Sequence, residues 1–331
     1  MSLTLPNLSN LLYSKSDNEI WQYFGKEVNL NAASILSAEP FIIQSEGVNY
    51  LLTSDKEFTS EEYDNVLLVS KKPKAADFEA GKIKFKRWLK HPLFITSTPE
   101  DVSDTWKGHF NFIKEDEAAG VKGLRPPQIG ALYSILAHVQ NPEDKAIVVM
   151  PTGTGKTETM LSALVANECK KLLVSVPSDS LRTQISEKFI TLGLLKEYGI
   201  VDASCSNPIV GILNSGFDSI EDLQEFIAKA NVVVSTMALL TGRTGPEKAL
   251  FNTSFSHFFI DEAHHSEADT WKELIGRFSK EKVFLFTATP FRNDGKALQG
   301  KTIFNFSLRK AQEQKYYKKI NYLPKIIIAA C

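Results

Sequence analysis

The chain has 331 residues, of which 43% are hydrophobic and 23% charged, a composition that excludes disordered and collagen-like classes and suits about two globular domains. Its 38 basic and 39 acidic side chains leave a net charge of −1, so a nucleic-acid partner would need a local patch. Three scattered cysteines without a C-x-x-C pair, apolar runs far below the roughly 20 residues of a bilayer span, and no signal-peptide start exclude secreted, disulfide-built and membrane-spanning classes and favour a cytoplasmic setting.

Charge is uneven along the chain. Residues 1–70 carry three lysines and ten acids, whereas residues 71–91 carry eight basic and two acidic groups. Residues 18–24 read as a short helix. Residues 41–44 and 49–53 flank Glu46-Gly47 as a hairpin. Residues 65–70, 83–88 and 93–98 read as further strands, which together place a β-rich accessory domain at 1–115. In a strand, Lys82, Lys84 and Lys86 share one face. That face suits either a nucleic-acid backbone or an edge guarded against aggregation. Trp106, Phe110 and Phe112 are expected to pack this domain on the next. His91 and His109 show no nuclease pattern around them.

From Arg125 onward apolar runs at 146–150, 172–176, 209–213, 231–235, 257–260 and 283–287 alternate with helical stretches at 127–139, 157–169, 180–194, 219–230 and 267–278. Continuous apolar strands between helices indicate an α/β domain, doubly wound on a parallel sheet. Its ligands belong at the carboxyl ends of the strands.

The chemistry-bearing strings fall there. Residues Pro151-Thr152-Gly153-Thr154-Gly155-Lys156-Thr157 follow a strand and open a helix, as a phosphate loop does: backbone N–H groups and a helix N-terminus wrap the phosphates. Lys156 reaches the β/γ-phosphates and Thr157 ligates Mg²⁺ in such a loop. Met150 stands where the first glycine or alanine of the strict pattern belongs. Residues 257–260 end in Asp261-Glu262-Ala263-His264, two adjacent carboxylates that are costly at a buried strand tip unless they meet a cation or proton. Asp261 is placed for Mg²⁺ and Glu262 for the attacking water.

With these residues the chain resembles the first RecA-like lobe of superfamily 2 DEAD/DEAH-box helicases, within the group of type III restriction enzyme subunits. The resemblance runs from about Gly123 to Leu308. Gly123-Leu124-Arg125-Pro126-Pro127-Gln128 matches the motif that reads adenine, so Arg125 and Gln128 join Thr152, Gly153, Thr154, Gly155, Lys156, Thr157 and Glu158 as ATP-binding candidates. The resemblance makes Lys156, Asp261 and Glu262 catalytic, Thr157 and Asp261 the Mg²⁺ ligands, and His264, Thr287 and Thr289 (the last two in Thr287-Ala288-Thr289-Pro290) the coupling residues. It points to Ser178, Arg182, Thr236 and Arg243 as contacts to the sugar–phosphate backbone of nucleic acid, without sequence specificity. Ser178 or Asp179 as a helix N-cap, and a plain polar loop after Ser235, are equally open there. These readings assign a RecA-like domain to 116–308 and a linker to 309–331, toward a second RecA-like lobe supplied in cis or in trans. The implied activity is an ATP- and Mg²⁺-dependent helicase or translocase acting on DNA rather than RNA, in restriction, repair or antiviral defence, with a nuclease or defence-system partner. The alternative is a nucleotide-switched binding module.

Overall fold

The computed structural model describes residues 1–263, 269–289 and 298–316. The first half of the chain holds β1 (Leu3–Thr4), β2 (Leu8–Lys15), β3 (Asn18–Gly25), β4 (Asn29–Leu30), β5 (Ser34–Ala38), β6 (Phe41–Ser45), β7 (Val48–Thr53) and β8 (Val66–Val69). After these come α1 (Ala75–Glu79), β9 (Phe85–Lys90), α2 (Pro99–Asp104), α3 (Pro126–Gln140), β10 (Ala146–Val149) and α4 (Lys156–Ala166). The second half adds β11 (Leu172–Val176), α5 (Asp179–Thr191), β12 (Val210–Leu213), α6 (Ile220–Ala228), β13 (Val232–Thr236), α7 (Met237–Thr241) and α8 (Gly245–Ser254). Then follow β14 (His257–Ile260), α9 (Asp269–Arg277), β15 (Val283–Thr287), β16 (Lys301–Asn305) and α10 (Leu308–Glu313).

Nine strands form one sheet in the order β16-β10-β15-β14-β11-β13-β12-β3-β2. Seven of them, from β16 to β12, run parallel. Every residue of β10, β11, β13 and β15 is buried, so helices must cover both faces. The apolar runs from residue 146 onward predict this α/β sheet. Burial of each such Val, Leu or Phe contributes about 1.5–3 kcal/mol.

Two antiparallel strands close the far edge. β3 pairs with β12 and with β2. The helix expected at 18–24 is therefore a strand. Its burial alternates along Asn18, Glu19, Ile20, Trp21 and Gln22, and Ile, Trp and Tyr favour a pleated surface over a helix. A short-window reading missed the period of two because polar Asn18 and Gln22 occupy its buried positions.

The smaller sheet has the order β5-β6-β7-β8-β9. The expected hairpin closes β6 on β7 through Glu46 (φ 50°) and Gly47 (φ 83°), the left-handed pair that a two-residue hairpin turn requires. Residues 93–98, expected as a strand, are irregular: they lie between Pro92 and Pro99, and Thr98 caps α2. The expected strand at 83–88 starts at Phe85, so Lys82 and Lys84 precede it, and β9 is an edge strand. Trp88 is fully buried under this sheet and donates to the Pro6 carbonyl at 2.9 Å. The first 115 residues thus contribute β2 and β3 to the large sheet and β5 to β9 to the small one, while β1 and β4 pair as a separate two-stranded ribbon. Trp106, expected between domains, sits in the core of the large sheet and donates to the Ser206 carbonyl at 3.0 Å.

Candidate active site

The strings singled out above follow β10, β11, β13, β14 and β15, all at the carboxyl ends of parallel strands. A cleft of about 440 Å³ opens there, lined by Arg125, Gln128, Thr152, Gly153, Gly155, Lys156, Thr157, Glu158, Asp261 and Glu262. Residues more than a hundred positions apart converge because β15 separates β10 from β14 in the sheet.

The loop from Met150 to Gly155 is held by its neighbours. The Met150 N–H donates to the Thr287 carbonyl at 2.8 Å. Gly153 and Gly155 take φ of 81° and 93°, values costly for any residue with a Cβ. A Cβ on Gly155 would also lie 2.0 Å from Gln128 Nε2. Gln128 Nε2 donates to the Gly155 carbonyl at 3.4 Å, and its Oε1 accepts from the Arg125 N–H at 2.7 Å. Arg125 Nη1 donates to the Gly153 carbonyl at 3.2 Å. The residues expected to read adenine are therefore fastened to the phosphate loop.

Lys156 is buried, with its ammonium between the two carboxylates: it donates to Glu262 Oε1 and lies 3.9 Å from Asp261 Oδ1. Burial pushes the Asp261 carboxyl above its usual range, against the pull of Lys156. The Glu262 N–H donates to Asp261 Oδ1 at 3.0 Å, and Glu262 itself takes φ of 49°, an uncommon backbone for a non-glycine residue. This left-handed turn after β14 aims the carboxylate at Lys156.

Not every expected residue faces the cleft. Thr154 is fully buried, and its hydroxyl donates to the Pro151 carbonyl at 2.6 Å. Glu158 lies at the cleft edge and pairs with Lys188 at 3.4 Å. The opposite wall comes from α5 and the loop after it, with Gln184, Leu195 and Tyr198. Sequence reasoning missed these residues, because no motif marks them and only the docking of α5 brings them in.

Thr287 Oγ1 donates to the Thr289 carbonyl at 2.8 Å and accepts from the Thr289 N–H at 3.2 Å. His264 and Pro290 lie outside the described residues. Beside the cleft, Ser178 caps α5 and Thr236 caps α7. Both sit on neighbouring tips, since Val176 pairs with Thr236 in the sheet. Arg182 is buried and pairs with Asp179 at 2.8 Å. Arg243 is buried too: Nη2 donates to the Ser215 carbonyl at 2.6 Å and Nη1 lies 3.5 Å from Glu247. Of the four expected nucleic-acid contacts, Ser178 is exposed, Thr236 is buried at the end of β13, and the two arginines brace the fold.

The family model of the type III restriction enzyme, res subunit, matches residues 122–292. DNA 3'-5' translocase XPB2 of Sulfurisphaera tokodaii is 27% identical over 154 residues, 46% of this chain and 29% of the translocase. Among solved structures, a nuclease-deletion mutant of the type ISP restriction-modification enzyme LlaGI, in complex with a DNA substrate mimic, matches with a TM-score of 0.43 at 21% identity, over 59% of this chain and 21% of that one. The UvsW helicase of bacteriophage T4 matches with a TM-score of 0.38 at 17% identity, over 67% of this chain and 70% of that one. The chain thus spans under a third of the translocase and of LlaGI. With more than half of its residues under the family model and the phosphate loop and acidic strand end meeting in one cleft, the chain belongs to the type III restriction enzyme res-subunit family and carries its superfamily 2 helicase RecA-like lobe.

Proposed function

We propose that this chain is the ATP-binding lobe of a DNA-directed motor, a helicase or translocase that cleaves ATP between this lobe and a second RecA-like lobe. The observation that carries the reading is the meeting of Lys156, Asp261 and Glu262 with the glycine loop and Gln128 in one cleft. Phosphates fit against the N-terminus of α4, where backbone N–H groups and the helix dipole favour anions. Thr157 and Asp261 offer a hydroxyl and a carboxylate, the hard oxygen donors that suit Mg²⁺ beside phosphate. Held by these two residues, a metal ion would supply positive charge to offset what develops on the phosphate.

Lys156 neutralises Glu262 in the structure. Phosphate offers Lys156 a stronger anionic partner, so nucleotide binding draws the ammonium off Glu262. The carboxylate is then available to take the proton of the attacking water. Thr287 and Thr289, bonded to each other and through the Thr287 carbonyl to Met150, are the shortest mechanical path from the phosphate loop to the next strand tip. The nucleic-acid strand would cross the tips of β11 and β13, where Ser178, Thr236 and two helix N-termini offer sequence-independent phosphate contacts. The DNA translocase relative supports DNA and the family description supports a restriction setting; an antiviral role in the cytoplasm beside a nuclease or defence-system partner is the extension of that reading.

The test is phosphate release by the polypeptide together with its second lobe, with and without DNA. DNA should stimulate turnover. Glu262→Gln should keep ATP affinity and lower kcat by about 10²–10⁴-fold, the range of a general base. Wild-type turnover in that variant, or DNA-independent turnover, would sink the reading.

A further inference from the structure

The segment after β16 has so far been given no task. Ser307 caps α10 by accepting from the Lys310 N–H, and the helix ends with Lys315 at φ 61°. That left-handed residue turns the chain back, so the Tyr316 N–H donates to the Ala311 carbonyl at 2.9 Å. The Tyr316 ring is thereby set over Arg125, its centroid 5.5 Å from the guanidinium carbon. Behind it stands Phe306, ring centroids 6.2 Å apart, and the Phe306 N–H donates to the Val149 carbonyl at 2.9 Å, at the end of the phosphate-loop strand. Arg125 closes the circuit through the Gly153 carbonyl at 3.2 Å and Glu115 at 3.7 Å.

We infer that Tyr316 is a positioning residue for nucleobase recognition: it holds one face of Arg125 so that the guanidinium plane is preorganised to stack on a purine ring at the cleft. This rests on the nucleotide reading above and adds to it the residue that positions the base-stacking group. A guanidinium is planar, weakly hydrated and well suited to stack between aromatic faces. A long arginine side chain loses rotamer freedom when it stacks on a ligand, and a group that already immobilises it lowers that cost. The circuit also ties base binding to α10 and the turn that follows it, because both act on Arg125.

The experiment is calorimetric titration of the chain with ATP and, separately, with inorganic tripolyphosphate, both with Mg²⁺, for wild type, Tyr316→Ala, Tyr316→Phe and Lys156→Ala. Tyr316→Ala should weaken ATP binding by about three- to thirtyfold, the range of a cation–π contact, and leave tripolyphosphate within about twofold. Tyr316→Phe should bind both ligands as wild type does. Equal losses for both ligands, or an unchanged ATP affinity, would overturn the inference. Lys156→Ala should lose both ligands, which reports on the phosphate loop independently of Tyr316. If the wild-type chain binds neither ligand, the nucleotide reading falls and this inference with it. Should Tyr316→Ala melt early by circular dichroism, Arg125→Lys replaces it: the charge stays, the plane goes, and the same ATP-selective loss is expected.

Discussion

The two sheets use their strands differently. In the large sheet the parallel strands β10, β11, β13 and β15 are buried along their length, so their side chains are spent on packing and only the tips remain for chemistry. The phosphate loop, the Asp261-Glu262 pair and the Thr287-Ala288-Thr289 string sit on strand tips on one side of the sheet, and Arg125 and Gln128 reach them from the start of α3. In the small sheet the pairs are antiparallel except β7 with β8, and β8 alone of its strands is buried along its length. Its charge lies along its edge, at β9 and the loops beside it, where Lys71, Lys72, Lys82 and Lys84 line one pocket with Asp77. Parallel topology concentrates function at a point, whereas an open antiparallel edge spreads it along a surface.

The sharpest way to break this contrast is to remove charge at the point. Lys156→Ala should abolish measurable ATP binding, a loss of at least about a hundredfold, because one charge-assisted contact to phosphate goes and two carboxylates are left facing the phosphates unneutralised. Retained nucleotide affinity in a titration would remove the cleft from consideration. Trp88→Ala tests whether the small sheet matters to that point. It should cost about 3–5 kcal/mol of stability in a denaturant titration, the usual range for truncating a buried tryptophan. Nucleotide affinity of the folded fraction should stay within about twofold. A parallel loss of affinity would show that the two sheets act as one unit.

The contrast also explains what the sequence disclosed. Residues 146–149 and 283–287 are legible because strands buried on both faces are apolar throughout, and Gly153, Gly155 and Lys156 because a phosphate loop tolerates few residue types. Strand β3 was misread because its buried set includes Asn18, which accepts from the Asn214 and Ser215 N–H groups at 2.7 and 3.0 Å and so satisfies tertiary needs that no local pattern encodes. The burial of Arg182 and Arg243 was equally hidden. A motif names the residue type, but Asp179 and the Ser215 carbonyl, which claim those guanidiniums, are found only in the fold. Lys188, Tyr198 and Tyr316 belong to the same class: their places depend on docking, not on spacing.

A smaller effect separates the two ends of β14. Its tip carries Asp261, while its first residue, His257, is half-buried and bonded to Asn167 at 2.7 Å and to Ser256 at 2.9 Å. Burial pushes the His257 pKa down to about 4 from 6.5. The unfolded chain takes up this proton near pH 6.5 and the folded one only near pH 4. Stability from this group is therefore complete above pH 6.5 and lost as pH falls to 4, by about 3 kcal/mol in all. Denaturant titrations at pH 7 and pH 4.5 check this. His257→Gln should flatten the difference, and an unchanged slope would mean the loss arises elsewhere.

The smallest expected effect lies on the edge of the small sheet. The strand begins at Phe85, so protection of an exposed edge accounts for Lys86 but not for Lys82 or Lys84, which stand before it. All three are exposed and make no ion pair among the described residues, whereas Lys72 and Lys90 pair with Glu39 and Asp64. Replacing Lys82, Lys84 and Lys86 by glutamine should weaken DNA binding a few-fold at moderate salt. The slope of log affinity against log salt should flatten by about 0.9 for each phosphate contact removed, up to about 3. A shared loss of affinity with an unaltered slope would mean the variant has changed shape rather than charge contacts. If neither quantity moves and the variant instead aggregates, the lysines guard the edge, and nucleic-acid contact belongs to the tips of β11 and β13 alone.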